Sequence, residues 1–519
     1  MLSFARQNKT LSAQMIRNVV FGGLRTVLIA PIPFLLTPFI LRKIGPRGYG
    51  TWAIFLSINA LTSLVDMGLL GTLSKHIAEY FARQDYARLN RLLNTGLLLF
   101  VLLASLVGAV LWASSSAVTK LLFHGSEVGH GELLYLFHCA LALIWVNVVM
   151  LFSSSVTSGL QRLDLSNVLT AFNLLISAVL GAIFLTLGWG IRGLLYASIA
   201  SAVITLMAYG WVIRRLLPQM VFDLRLADVE EAKKMFVFSL QVYLTQAASA
   251  VHNQTEKLLL ALLVGVVPVG WYDMGSDIAM KVRSVPQLLL APVVPAASEL
   301  DARGESEKLV ELYHRTHKYM ACIGVPLVCF VLAVSGRFVE LWIGPSLKIV
   351  AWPLSVLTLV GFFNLLTGPG YLILVGQGVL RPGLCAALVG VGLNVPLSFI
   401  LIYTFGFGGA LIGTSVSLIV ASITFLYLFH RHTGNSIVRL LREAYLKPVS
   451  CSIGVLVILL LVVPVASLSW LGLLASALLF GALYVTLLLS VRFFDLYDWN
   501  KIEAAVPLAR LAKRIVPVA

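Results

Sequence analysis

Five cations stand inside otherwise apolar stretches of this chain, Arg337 and the four that have polar companions, Arg25, Lys257, Lys281 and Arg283. A guanidinium presents a fork of N–H donors that matches phosphate, and an ammonium adds a point charge, so the chemistry on offer is anion binding. Polar companions accompany them in the same stretches: Asp66, His252, Asn253, Glu256 and Asp277. A charge at the centre of a bilayer costs about 2.5–3.5 kcal/mol on insertion scales, so it turns toward protein or a water-filled cavity and marks a functional path by default.

Spacing arranges these residues. Gln246, Ser249, Asn253, Glu256 and Lys257 lie 3, 4, 3 and 1 apart, which puts them on one helical face. The polar run HNQTEK (252–257) is therefore the wettest turn of a stripe rather than a break in the helix. His252 and Glu256 are four apart and could pair, as could Asn253 and Lys257. Asp273, Asp277 and Lys281 are also four apart and share a face, with Arg283 offset. Two readings stay open for such groups. Asp277 could only neutralise Lys281, Glu256 only Lys257, and Asp66 could clamp a neighbouring helix. Alternatively they line a path for a ligand. Arg25 has no acidic residue near it in sequence.

The elements that carry these residues follow from composition. The chain has 519 residues, 59% hydrophobic and 12% charged, against about 25% charged in soluble domains. Such a chain is expected to be integral to a membrane, and its polar first 17 residues do not read as a cleaved signal. Windows of spanning length predict fourteen helices: 18–41, 50–74, 96–119, 133–158, 166–187, 193–213, 236–264, 268–297, 319–343, 350–375, 383–404, 409–430, 448–467 and 470–491. Of the 38 Lys and Arg, 27 fall in the two tails and the loops after even-numbered spans, and 6 in the other loops. That asymmetry predicts cytoplasmic termini and accounts for the net charge of +15, with contact to anionic headgroups as a further use. Basic residues dispersed among short loops do not suit nucleic acid. One loop, LRKIGPRGYG (41–50), is basic on the side expected to be external.

A repeat organises the spans. Displaced by 220 residues, AEYFARQDYARLNRLL (78–93) falls on SELDARGESEKLVELY (298–313), and Gly45 and Gly50 fall on Gly265 and Gly270. LGWGIRGLLYAS (187–198) resembles FGFGGALIGTS (405–415) with one deletion. Six spans separate equivalent positions, so the halves share one orientation. The expected fold is all-α and integral to the membrane, with two parallel six-helix bundles around a central cavity and two added C-terminal helices. The expected domains are a bundle at 1–215, a cytoplasmic linker at 216–235, a second bundle at 236–432, and two further helices with a tail at 433–519. Prolines at 31, 33 and 38, and at 286, 292 and 295, permit kinks in the first and eighth spans.

Several motifs mislead. GWGIRG (188–193) fits a dinucleotide fingerprint but follows no strand. No GxxxxGK[ST] occurs, so no ATP site is expected. The five cysteines sit in apolar runs without ligand spacing and read as packing residues. No metal or organic cofactor is expected.

The segment ILRKIGPRGYGTWAIFLSINALTSLVDMGLLGTLSKHIAEYFARQD (40–85) resembles the N-terminal signature of bacterial polysaccharide and O-antigen flippases, the Wzx-type members of the MOP (MATE-like) exporter superfamily. The residues that carry it are Gly45-Pro46, Gly48-Tyr49-Gly50, Asp66-Met67-Gly68-Leu69 and Ala78-Glu79. The resemblance implies a non-enzymatic flippase in the bacterial inner membrane that moves a polyprenyl (undecaprenyl) diphosphate-linked oligosaccharide to the periplasmic leaflet by alternating access. It implies coupling to an ion gradient, H+ or Na+, and action as a monomer beside other polysaccharide-assembly proteins. On this reading Arg25, Lys257 and Arg283 bind the diphosphate, and Lys281 with Asp277 forms a pair that exchanges partners. Asp66, Glu256 or His252 couples protons, His252 because imidazole titrates near neutrality. A MATE-type drug antiporter would need a cavity of carboxylates and aromatics, against which the four cations argue. A glycan polymerase or glycosyltransferase would need a large charged outer loop, and the outer loops here are short.

Overall fold

The computed structural model describes residues 31–60, 62, 69–434 and 436–499. Arg25 and Asp66 lie outside the described residues, as does the Asn253 side chain. All the regular elements among the described residues are helical. In chain order they are α1 (Pro31–Ala60), α2 (Leu69–Ala82), α3 (Tyr86–Ala113), α4 (Ser115–Leu122), α5 (His130–Gly159), α6 (Leu163–Thr186) and α7 (Gly190–Leu216). There follow α8 (Val229–Leu263), α9 (Val266–Gln287), α10 (Val293–Ala302), α11 (Ser306–Ile343), α12 (Ala351–Leu365) and α13 (Gly368–Gly376). The last are α14 (Arg381–Phe405), α15 (Phe407–Thr433), α16 (Ile437–Val462) and α17 (Trp470–Ser490).

Ten helical segments among the described residues are long and apolar enough to cross a membrane. They coincide with the expected third to sixth and ninth to fourteenth spans. The expected seventh span forms as α8, whereas the expected eighth, 268–297, is broken: α9 ends at Gln287 and α10 begins at Val293, and α9 holds Asp273, Asp277, Lys281 and Arg283 within 22 residues. Those charges interrupt the apolar run a lipid-facing helix needs. Exposed apolar side chains on the spans, such as Leu106, Val110 and Phe405, suit a surface solvated by acyl chains, where only satisfied helical backbone is stable.

The chain folds as two compact units, one of residues 1–273 and 391–413, the other of 274–390 and 414–519. In the first, α8 packs along α1, α2, α3 and α4. The segment before it is pinned to α3 by side-chain amides. Asn90 donates to the Gln219 carbonyl and Asn94 to that of Val221, while the Asp223 N–H donates to Asn94 Oδ1. In the second, α11 is the longest helix, and α10, α12, α16 and α17 pack on it.

Glycines set the turns that matter for the polar residues. The two arms of α1 meet at Gly45, whose φ of 69° and ψ of 175° suit only glycine, and Pro46 opens the second arm with a preset φ. Gly265, its repeat counterpart, turns α8 into α9 at φ 121°. The other aligned pair, Gly50 and Gly270, pack against each other: a Cβ on Gly270 would sit 3.3 Å from the Gly50 Cα. The 220-residue displacement thus aligns glycines that do the same geometric work.

Candidate functional site

The first unit buries a polar cluster where α1, α8, α9 and α14 meet. The sharp turn at Gly265 brings the start of α9 back along α8, and Gly50 lets α1 cross that turn with almost no clearance. A Cβ on Gly50 would lie 1.9 Å from the Val266 carbonyl oxygen. This approach sets Tyr49 beside Asp273. The Tyr49 hydroxyl donates to Asp273 Oδ2 at 3.1 Å, and Lys257 Nζ meets Asp273 Oδ1 at 2.6 Å. The Lys257 and Asp273 side chains are 11% and 10% exposed, so little water screens the pair. One residue earlier on α8, Glu256 points to a different helix, where Asn394 Nδ2 donates to Glu256 Oε1 at 2.5 Å. His252, a turn before Glu256, is half-buried.

The cluster gives the GPRGYG motif a structural meaning. Gly45 and Pro46 make the corner, Gly50 permits the crossing, and Tyr49 supplies a hydrogen bond to a buried carboxylate. Arg47, one of the basic residues in that segment, pairs at the surface with Glu127 at 2.9 Å.

The second unit holds the other sequence candidates, on α9. Lys281 pairs with Asp277, as their spacing allows, and both are partly exposed. Arg283 lies off that stripe and meets α12. Its Nη2 donates to Asn364 Oδ1 at 2.9 Å, and Asn364 Nδ2 donates to Ser422 Oγ on α15 at 3.0 Å. Ser422 donates in turn to the Leu418 carbonyl at 2.7 Å. Among the described residues Arg283 has no carboxylate partner, and its Nε is buried without a hydrogen bond. A guanidinium has five donors; here one edge is fixed by a neutral amide and its charge is uncompensated within the described residues. A guanidinium so held has donors left with which to bind an anion.

Spacing on one helix did not find the partners. Lys257 takes Asp273, sixteen residues away, and Glu256 takes Asn394, 138 away. Tyr49, Asn364, Ser422 and Asn394 carry the site yet do not stand out by charge. The available signal is that Asn364 and Asn394 are amides in apolar spans, where polar groups bond between helices. Among the described residues no group of three metal-ligating side chains converges.

Known proteins share both the sequence pattern and the fold. Residues 15–301, more than half of the chain, match the family model described as "Polysaccharide biosynthesis protein". A Shigella flexneri protein, provisionally assigned as an O-antigen transporter, is 23% identical over 434 residues, covering 80% of this chain and 98% of its own. Among solved structures, a lipid II flippase in an inward closed conformation superposes with a TM-score of 0.71 at 12% identity, covering 91% of this chain and 98% of that one. An inward-facing multidrug resistance MATE transporter of the MOP superfamily gives 0.67 at 17% identity, covering 79% and 98%. The two structural likenesses establish the transporter fold and do not choose between cargoes.

Proposed function

The chain belongs to the polysaccharide biosynthesis protein family, and on that premise we propose that it is a flippase for a polyprenyl diphosphate-linked oligosaccharide, carrying the glycolipid from the cytoplasmic to the periplasmic leaflet of a bacterial inner membrane. The observation that carries the reading is Arg283, oriented by Asn364 and without a carboxylate among the described residues. A diphosphate needs cationic donors on the way across, and a drug cation would be repelled by one. The O-antigen transporter likeness supports a glycan cargo over a drug.

In this reading Arg283 is the first diphosphate ligand. Lys281 and Lys257 become free for an anionic cargo only by leaving Asp277 and Asp273, so each pair can exchange partners as the cargo arrives and departs. Arg25 is a fourth cation of the same kind. Glu256, His252, Asn253 and Asp66 are the polar groups through which an H+ or Na+ gradient would act. Both termini face the cytoplasm, and the protein works as a monomer beside the membrane proteins that extend the glycan.

The test is sidedness of the glycolipid in a deletion strain, read with a membrane-impermeant glycosidase. Re-expression of the parent exposes the glycolipid to the enzyme. Arg283→Ala, at parental protein level, leaves it protected, and Arg283→Lys restores part of the exposure. Full exposure with Arg25→Ala, Lys257→Ala and Arg283→Ala each in turn would refute the cation assignment. Glycolipid already exposed in the deletion strain would refute flipping itself.

A further inference from the structure

A basic groove of about 560 Å³ opens at the start of α16, lined by Ser436, Val438, Arg439, Arg442, Glu443 and Lys447. Three cations face one carboxylate there. Arg439 Nε bonds Glu443 at 2.8 Å, which leaves two cations uncompensated by it. Lys447 Nζ donates to the Arg492 carbonyl at 3.1 Å, a neutral acceptor, and Arg442 has no carboxylate partner among the described residues. The groove therefore carries net positive charge with donors to spare.

Its surroundings are apolar on the outside. Val438 is 71%, Leu446 60% and Leu441 47% exposed, while Leu440, Ala444 and Tyr445 are buried in the core of this unit. A turn of π-helix, Leu441–Tyr445, carries the side chains of both faces; such turns are frequent at functional sites. This is also the end of a helix apolar enough to cross a membrane. Exposed apolar residues beside clustered cations at a span end match a phospholipid, with acyl chains on the apolar face and phosphate among the cations. A soluble anion would use the cations and leave the apolar rim uncovered.

We propose that this groove is a specific site for an anionic phospholipid, its phosphate held by Arg439, Arg442 and Lys447 and its chains laid along Val438, Leu441 and Leu446. The site is separate from the transport residues on α8 and α9, and the proposal does not depend on what the protein carries.

The experiment is native mass spectrometry of the full-length protein with phosphatidylglycerol or phosphatidylcholine added, for the parent, Arg442→Gln/Lys447→Gln, and the charge-matched control Arg303→Gln/Lys308→Gln. Each cation near an anionic lipid contributes about a fivefold factor in affinity. The groove variant should lose roughly 25-fold in phosphatidylglycerol affinity, the product of two such factors, and the control should keep the parental value. Matching thermal midpoints in phosphatidylcholine alone verify that the groove variant folds. Equal retention of both lipids, or equal losses in both variants, would overturn the proposal as general charge attraction. Displacement of phosphatidylglycerol by millimolar inorganic phosphate would overturn it in favour of a soluble anion. Tight retention of a diphosphate-linked glycolipid without phosphatidylglycerol would overturn it in favour of cargo.

Discussion

Replacing Lys257 by methionine keeps the length and apolar stem of the side chain and removes its charge. Asp273 is then left as a carboxylate 10% exposed without its ammonium. With 2.6 Å between Nζ and Oδ1 and an effective dielectric constant of about 20, the lost attraction is roughly 6 kcal/mol before solvation is counted. Dehydration of the two ions offsets much of it in the parent, so the net loss on breaking one side of a buried pair is about 3–5 kcal/mol. For a unit of this size that lowers the unfolding midpoint by ~6–10 °C. Asp273→Leu alone should lose a similar amount, because it strands the ammonium and removes the acceptor of the Tyr49 hydroxyl. Lys257→Met/Asp273→Leu removes both charges together, and apolar replacements of buried pairs are often neutral. The double variant should lie within about 2 kcal/mol of the parent, giving a large coupling in the double-mutant cycle. Tryptophan fluorescence during heating, in one detergent for all four proteins, reads the midpoints. Single variants within ~1 kcal/mol of the parent, or a double variant at the sum of the singles, would refute the paired arrangement. If the double variant folds yet leaves glycolipid protected in the sidedness assay, the pair serves the proposed transport as well as folding.

Other substitutions probe the remaining contacts. Gly50→Ala pushes a methyl to 1.9 Å from the Val266 carbonyl and should cost about 3 kcal/mol as overpacking. Gly71→Ala, with nothing within 4 Å among the described residues, should instead stabilise α2 by about 0.5–1 kcal/mol, and heating curves of both test the difference. Asn94→Ala deletes the bonds to the Val221 carbonyl and the Asp223 N–H, worth about 2 kcal/mol together. It should speed proteolysis within 217–228 without altering the folded spans. Asp498→Asn strips the charge from a fully buried side chain that accepts from Arg315, Lys318 and Tyr319. About 3 kcal/mol of local stability should go, seen as amide exchange across 493–499 faster by about 100-fold.

How far the sequence reaches can be judged element by element. Apolar length placed ten spans where the structure has them, because helix formation in lipid is decided by local residue type. Periodicity correctly kept HNQTEK inside a continuous helix, since 229–263 is one element. It also paired Lys281 with Asp277, a contact within one helix at four-residue spacing. The same spacing points Lys257 toward Asn253, and adjacency points it toward Glu256; both miss Asp273, because a helical period ranks neighbours on one helix and contains nothing about the next.

The sequence by itself determined the membrane class, the ten apolar spans and the family. Each of these is written in local composition or in similarity to other chains. Only the tertiary structure decided which charges are compensated. Lys257 meets Asp273 because Gly265 reverses the chain and Gly50 admits a second helix at near contact. Arg283 is without a carboxylate among the described residues because α12 and α15 offer it an amide and a hydroxyl. Compensation of a buried charge depends on distances of a few ångströms between helices far apart in sequence, which packing alone sets.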